Sequence, residues 1–137
     1  MSNPRQKSLQ QLLDDLPVAY TLTGNSVGIT ISGIAFDSRK ISQGNLFVAV
    51  TGETSDGHVY IPAAVANGAA AVVGTQPMDG LSVPYVQVSD AREAMAWMAA
   101  AFFDHPGRSL TVIGVTGTDG KTTTSNLIHR ILVHAGI

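Results

Sequence analysis

The sequence predicts an α/β fold, in which a small N-terminal domain precedes the first strand, loop and helix of a second domain. Three observations support this prediction. Apolar, β-branched runs alternate with helical patterns over the first hundred residues, as in βαβ units. A Pro-Gly pair at residues 106–107 interrupts that alternation, and a glycine-rich segment follows it. We therefore expect domains at residues 1–104 and 110–137, joined by a linker at residues 105–109.

The composition indicates a globular protein. Of 137 residues, 45% are hydrophobic and 13% are charged, which favours a packed core over disorder. The absence of cysteine excludes a disulfide framework, and a net charge of −2 without a basic cluster argues against a nucleic-acid partner. Since the polar N-terminus has no signal-peptide pattern and no stretch is apolar enough to span a bilayer, we expect a cytoplasmic protein.

The first elements follow from local signals. Residues 1–7 are expected to be disordered, and Ser8 is expected to cap a short helix that ends at Pro17. Alternation over residues 27–35 predicts a strand, with Gly33 allowing a bulge. Residues 44–50 predict a second, buried strand. The apolar stripe of the helix consists of Leu9, Leu12, Leu13 and Leu16.

Two polar loops surround this buried strand, at residues 36–39 and 51–58. If both lie at one edge of the sheet, the hydroxyls of Ser38, Thr54 and Ser55 converge with nearby backbone amides on a concave surface. Such a surface suits a uridine, a sugar or a diphosphate. The alternative is that both loops are solvated turns.

Further along, residues 61–67 predict a helix that Gly68 ends, and residues 69–73 and 84–88 predict two strands. Asp90 is expected to cap the next helix, with Glu93 three residues later. We interpret the stripe of this helix as core rather than as a cofactor site. Its members are Ala91, Ala94, Met95, Met98, Ala101 and Phe102, with Trp97 at the margin.

The four histidines have no spacing typical of a zinc site. They are His58, His105, His129 and His134. His58 is expected either to support the second polar loop or to be a solvated turn residue.

The segment at residues 112–124 has the chemistry of a phosphate-binding loop. Its apolar start predicts a strand, and the residues after Gly120 predict a helix with an apolar stripe. The first turn of a helix offers unpaired N–H groups and a positive dipole end to an anion. Lys121 can reach the outer phosphates, and the Thr122 hydroxyl can ligate magnesium. The alternative is an ordinary turn, since Val115 stands where the general P-loop pattern has glycine.

The pattern T-G-T-x-G-K-T-T after an apolar run resembles the ATP loop of the Mur ligases, which are ATP-dependent amide-forming enzymes of peptidoglycan synthesis. Asp119 stands where that family usually has asparagine. The motifs at residues 37–39, 44–49 and 52–58 resemble the N-terminal, UDP-binding domain of the same family. Both resemblances occur in the family order and together cover residues 25–137.

The resemblance is closest to the members that add diaminopimelate or lysine to UDP-N-acetylmuramoyl-L-alanyl-D-glutamate. In such enzymes ATP phosphorylates the D-glutamyl carboxylate, and the amine of the diamino acid attacks the resulting acyl phosphate. The resemblance implies Lys121 as a catalytic residue and Thr122 as a ligand of Mg²⁺. The implied ATP-binding residues are Gly117, Thr118, Asp119, Gly120, Lys121, Thr122 and Thr123. The implied UDP-sugar contacts are Phe36, Ser38, Glu53, Thr54 and Ser55.

Two alternatives stay open, namely a Mur-type ligase that adds D-alanyl-D-alanine and a non-enzymatic sugar-nucleotide-binding module. A single strand, loop and helix cannot bury its own apolar face. We therefore expect a chain that represents part of a ligase and binds the UDP end without catalysing. Self-association through residues 110–137 is one way for that face to be buried.

Overall fold

The computed structural model describes residues 5–52 and 55–136. The chain divides into two compact units, Met1–Pro106 and Gly107–Ile137. The strands of the first unit are β1 (Lys7–Ser8), β2 (Tyr20–Thr23), β3 (Thr30–Ile31), β4 (Gly33–Ala35), β5 (Asn45–Val48), β6 (Ala71–Gly74) and β7 (Tyr85–Val88). Its helices are α1 (Leu9–Asp14), α2 (Ile61–Ala66) and α3 (Ala91–Phe102). The short helix α4 (Pro106–Ser109) lies at the boundary, and α5 (Lys121–His134) belongs to the second unit.

The first unit is organised around a five-stranded sheet with the order β2-β7-β6-β5-β4. The four strands from β4 to β7 are parallel, whereas β2 pairs antiparallel with β7 at the edge. A separate two-stranded pair joins β1 to β3. Because β4 to β7 are parallel, their carboxyl ends and the loops that follow them lie at one edge of the sheet.

Helices cover both faces of this sheet. Residues that alternate along a strand point to opposite faces, so each strand contributes to two cores. On β5, Leu46 and Val48 pack with α1 and α3, whereas Phe47 packs with α2 on the other face. The first core also contains Ala71 and Val73 of β6, Val86 and Val88 of β7, and Leu9, Leu12, Leu13, Ala94 and Met98 of the two helices. The second contains Ile41, Ala49, Ile61, Ala64, Val72 and Tyr85.

The helix starts are confirmed where a side-chain cap specifies them. Ser8 caps α1 in a capping box, since its Oγ accepts from the Gln11 backbone N–H at 3.2 Å and Gln11 Oε1 accepts from the Ser8 N–H at 2.9 Å. Asp90 caps α3 by accepting from the backbone N–H groups of Arg92 and Glu93 at 2.8 and 3.0 Å. The apolar stripe of α3 is core, as expected.

The expectation of a disordered start is wrong for residues 5–7, and residues 1–4 lie outside the described residues. The Arg5 guanidinium donates to the Phe102 carbonyl oxygen at 3.2 Å and pairs with Asp104 at 2.7 Å. Lys7 lies in β1 and also pairs with Asp104. These charged contacts hold the N-terminal segment against the end of α3. The polar sequence of residues 5–7 does not predict them, because the partners lie about a hundred residues away in the chain.

The strand expected at residues 27–35 is shorter than predicted and is divided in two. The Asn25 carboxamide oxygen accepts from the Val27 N–H at 3.0 Å, which makes a turn of this segment, and Val27 is 83% exposed. The first strand, β3, begins only at Thr30, and Ser32 separates it from β4. The edge strand β2 was not predicted, because its sequence Tyr-Thr-Leu-Thr carries only one aliphatic residue.

The prediction of a strand at residues 112–115 is also wrong. Within the described part of the second unit, residues 111–116 form no strand ladder and lead irregularly to α5. A strand needs a neighbour to satisfy its backbone groups, and this unit offers none among its described residues. None of the helices in residues 5–52 and 55–136 combines the length and apolar character needed to cross a membrane.

Candidate functional site

A cavity of about 450 Å³ lies where the chain leaves β4. Phe36 directly follows that strand, and Ser38 begins a 3-10 turn, Ser38–Lys40. Ser55 and Tyr60 enter from the connection between β5 and α2. The cavity is lined by Phe36, Asp37, Ser38, Arg39, Ser55 and Tyr60. The two polar loops therefore border one cavity, as the convergence argument predicts. Asp37 and Asp56 also cap turns within these loops, as the alternative expects.

Three of the five predicted sugar-nucleotide residues line this one cavity, namely Phe36, Ser38 and Ser55. The other two, Glu53 and Thr54, lie outside the described residues. Sequence reasoning missed Arg39 and Tyr60 as lining residues. Arg39 belongs to the motif at residues 37–39, whereas the position of Tyr60 depends on how the chain turns after the second loop.

The first loop is held in shape by its own charges. The Asp37 carboxylate accepts from the Arg39 backbone N–H at 3.1 Å and from Arg39 Nε and Nη2 at 2.9 Å each. The side-chain hydrogen bonds, followed by the backbone one, make the largest contributions to lowering the pKa of Asp37 to about 2. The side-chain bonds to Asp37 also raise the pKa of Arg39. The Asn67 amide donates to the Ser38 carbonyl oxygen at 3.0 Å and ties the turn to the end of α2. The loop thus holds Ser38, which is only 8% exposed, and the exposed Arg39 guanidinium on a fixed backbone.

The walls of the cavity combine flat apolar surface with polar groups. The side chains of Phe36 and Tyr60 are 66% and 48% exposed. The Arg39 side chain is 87% exposed although it is paired with Asp37, so its outer face stays available. Aromatic faces can stack on a base, hydroxyls can bind sugar or base edges, and a guanidinium can bind phosphate oxygens. The arrangement suits a nucleotide.

The described ends of the second loop lie close together, beside the residues that follow β5. The Gly52 N–H donates to the Ser55 carbonyl oxygen at 2.9 Å, Thr51 and Asp56 form an isolated antiparallel bridge, and the Gly57 N–H donates to the Val50 carbonyl oxygen at 3.1 Å. Glycine is required at position 57, because a Cβ there would lie 2.7 Å from both the N and the O of Val50. The close return of the chain places Ser55 at the cavity.

Beneath this turn, Asp56 accepts hydrogen bonds through both carboxylate oxygens. Oδ1 accepts from the His58 backbone N–H at 3.0 Å, from His58 Nδ1 at 2.6 Å and from the Thr51 hydroxyl at 3.2 Å, and Oδ2 accepts from Gln76 Nε2 at 2.7 Å. The His58 backbone bond, followed by the His58 side-chain bond, lowers the pKa of Asp56 to about 2. The carboxylate is therefore charged throughout the physiological range.

His58 supports the loop, and the alternative of a solvated turn residue is wrong because only 4% of it is exposed. Its Nε2 accepts from the backbone N–H of Thr75 at 2.9 Å and from that of Gln76 at 3.3 Å. These partners assign the neutral tautomer with the proton on Nδ1, which donates to Asp56. His58 thereby links the second loop to the segment that follows β6.

In the second unit, the predicted phosphate-loop residues form one continuous segment. Gly117 and Gly120 have φ values of +148° and +75°, and α5 begins at Lys121 with Gly120 as its N-cap and no capping side chain. The first intrahelical bond runs from the Thr124 N–H to the Gly120 carbonyl oxygen at 2.9 Å. The N–H groups of the first turn thus face outward without a side-chain cap, which suits an anion.

Lys121 bends back over this segment. Its Nζ donates to the carbonyl oxygens of Gly117 at 2.6 Å and Thr118 at 3.2 Å. Asp119, Thr122 and Thr123 are exposed beside it. The donor set fits a triphosphate, with the Thr122 hydroxyl available to a magnesium ion held by that triphosphate. Farther along α5, Leu127 and Ile131 are 59% and 58% exposed, so the predicted apolar stripe is largely uncovered.

Comparisons with known proteins give a consistent result. Residues 30–103 match the family described as "Mur ligase family, catalytic domain". The chain is 54% identical, over 108 residues, to the UDP-N-acetylmuramyl-tripeptide synthetase of Roseiflexus sp. strain RS-1, covering 77% of this chain and 21% of that protein. It is 43% identical, over 133 residues, to the UDP-N-acetylmuramoyl-L-alanyl-D-glutamate–2,6-diaminopimelate ligase of Chlorobium phaeobacteroides, covering 95% of this chain and 26% of that protein.

Among solved structures, MurF from Acinetobacter baumannii superposes with a TM-score of 0.67 at 29% identity, covering 96% of this chain and 29% of that one. MurF ligase from Thermotoga maritima in complex with ADP superposes with a TM-score of 0.55 at 35% identity, covering 66% of this chain and 21% of that one. The chain thus spans about a quarter of the length of the curated relatives that it matches.

Proposed function

This chain belongs to the Mur ligase family, and from that premise we propose that it supplies two binding elements of an ATP-dependent amide ligase. The reaction is the addition of a diamino acid to UDP-N-acetylmuramoyl-L-alanyl-D-glutamate. The proposal takes this substrate from the names of the tripeptide-adding relatives, which are 54% and 43% identical to the chain. The D-alanyl-D-alanine-adding alternative has weaker support, since a ligase so named from Acinetobacter baumannii is 28% identical and MurF ligase from Thermotoga maritima is 35% identical.

The observation that carries the proposal is the cavity after β4. A uracil ring would stack on Phe36 or Tyr60, the Ser38 and Ser55 hydroxyls would bind the nucleoside, and Arg39 would pair with the diphosphate. Glu53 and Thr54 belong to the proposed contact segment through the family resemblance.

The second binding element is the segment from Gly117 to Thr123, which we assign to the phosphates of ATP. Lys121 would exchange its two carbonyl partners for phosphate oxygens, where its charge offsets that of the outer phosphoryl group. Thr122 would ligate Mg²⁺ through its hydroxyl. The binding of ATP distinguishes this proposal from a non-enzymatic sugar-nucleotide module, which needs no phosphate loop.

We also propose that the 137-residue chain binds the UDP end without catalysing ligation. The support is its coverage of 21 to 26% of the relatives' length and the uncovered apolar side chains of α5. Self-association through those side chains is part of the same proposal, and sedimentation over a range of concentrations tests it. Diamino-acid incorporation by the purified chain would refute the absence of catalysis.

The decisive experiment is calorimetric titration with UDP-N-acetylmuramoyl-L-alanyl-D-glutamate. Phe36→Ala should weaken binding about 5- to 100-fold, the range expected for loss of one aromatic stacking partner of a base. Val27→Ala is the matched control, because Val27 is also an exposed apolar side chain, at 83%, and does not line the cavity. Tyr60→Ala tests the other stacking partner, and equal affinity of Phe36→Ala, Tyr60→Ala and the Val27→Ala control would refute the assignment of the cavity to the nucleotide.

A further inference from the structure

We propose that Asp56, His58 and Gln76 form a positioning cluster that holds Ser55 at the cavity. The inference rests on the proposed function in that Ser55 contacts the UDP-sugar. The three residues of the positioning cluster do not line the cavity themselves. Their effect on substrate would pass through the backbone that presents Ser55.

The two described ends of the turn are joined by the hydrogen bond from the Gly52 N–H to the Ser55 carbonyl oxygen. Ser55 is exposed. An exposed backbone hydrogen bond of this kind opens easily unless neighbouring segments hold it. The base of the turn is Asp56, which follows Ser55 directly and bridges back to Thr51 across the turn. The position of Asp56 therefore decides the position of Ser55.

Asp56 is held from two directions, and both lead to the segment after β6. Gln76 Nε2 donates to Oδ2 at 2.7 Å, and His58 Nδ1 donates to Oδ1 at 2.6 Å. His58 is in turn fixed by the backbone N–H groups of Thr75 and Gln76. A charged acceptor makes these bonds stronger than neutral ones. The turn after β5 is thus attached to the segment after β6 by side chains rather than by strand pairing.

The packing around His58 leaves space for its imidazole ring at Gly74. A Cβ on Gly74 would lie 2.7 Å from His58 Nε2 and would overlap the Tyr85 hydroxyl, so the absence of a side chain there makes room for the imidazole. The Tyr85 hydroxyl donates to the Gln76 carbonyl oxygen at 2.6 Å. Gln76 is therefore fixed at its backbone while its exposed amide reaches Asp56. Removing that amide should loosen the turn without opening the core.

The test compares two glutamine truncations in the 137-residue chain. Gln76→Ala removes the bond to Asp56. Gln87→Ala is the matched control, because Gln87 Nε2 donates to the Thr75 carbonyl oxygen at 3.2 Å in the same segment but does not reach Asp56. Amide hydrogen exchange of Gly52, measured by NMR without ligand, should accelerate about 3- to 10-fold in Gln76→Ala, as expected for the net loss of one solvent-exposed hydrogen bond. It should be unchanged in Gln87→Ala.

Titration with UDP provides the second measurement. Gln76→Ala should weaken UDP binding by a similar factor relative to Gln87→Ala, whereas a purely structural role would lower the melting temperature without changing the affinity for UDP. Unchanged Gly52 exchange in Gln76→Ala, or equal acceleration in both variants, overturns the positioning role even if UDP binds. Failure of the parent chain to bind UDP refutes the proposed function, and the exchange comparison still decides whether the cluster positions the turn.

Discussion

Replacement of Gly57 by alanine should destabilise the first unit, because the new methyl group meets backbone rather than a movable side chain. Its Cβ would lie 2.7 Å from the N and from the O of Val50, which belong to the chain just after β5. Overpacking of this kind costs about 1–3 kcal/mol. Moving the loop away also weakens the Gly57–Val50 hydrogen bond, worth about 1 kcal/mol.

One effect acts in the opposite direction. Alanine restricts the unfolded chain more than glycine does, which returns about 0.4–1 kcal/mol. The expected net loss for Gly57→Ala is therefore about 1–3 kcal/mol, and for a domain of this size it lowers the melting temperature by roughly 5–20 °C. Thermal and urea unfolding followed by circular dichroism measure both quantities.

Two further glycines serve as controls for this prediction. Gly52→Ala lies in the same loop, where the nearest atom to a Cβ is the Ser55 carbonyl oxygen at 3.3 Å, so the loss should stay below about 1 kcal/mol. Gly107→Ala meets nothing within 4 Å among the described residues and should be neutral within about 0.5 kcal/mol. A loss for Gly57→Ala no greater than that for Gly52→Ala would refute the steric argument.

Three other predictions follow from single contacts. Ser8→Ala removes half of the capping box with Gln11 and should cost about 0.5–2 kcal/mol in urea unfolding, and a neutral result would contradict the role of the cap. The pKa of Asp56 is depressed from 3.8 to about 2, so the charged form stabilises the fold above pH 3.8, and that stability is lost as the pH falls towards 2. Asp56→Asn should therefore flatten the acid side of the melting-temperature profile between those values, and a profile as steep as the parent's would count against it. Lys121→Ala should leave the unfolding of the first unit unchanged and weaken Mg-ATP binding by about tenfold or more, measured by calorimetry, whereas equal ATP affinity would remove Lys121 from the phosphate site.

Local sequence signals predicted those features that depend on adjacent residues. Ser8 and Asp90 begin helices because their side chains bond to N–H groups two or three residues ahead, and this geometry needs no tertiary partner. The buried strand β5 follows from its unbroken apolar run. The functional roles assigned to the cavity residues and to the phosphate loop stay predictions, and so do the domain limits drawn at residues 104 and 110.

Strand boundaries were less predictable, because a strand exists only with a partner. Tyr20–Thr23 becomes β2 through pairing with β7, although its own residues carry little signal. The apolar residues at 112–115 carry a strong signal but pair with no strand in the described part of the chain. The same dependence on a distant partner explains why Arg5 and Lys7 are not disordered. Both side chains pair with Asp104, near the other end of the first unit.

The sequence by itself determined the α/β class, the helix caps, the two polar loops and the glycine–lysine segment, because each is encoded within a few consecutive residues. Only the tertiary structure decided that Phe36, Ser38 and Ser55 share one cavity with Tyr60. It also decided that His58 is buried against the segment after β6 rather than solvated. These outcomes depend on which strands lie side by side in the sheet, and that order is a property of the whole core rather than of any one segment.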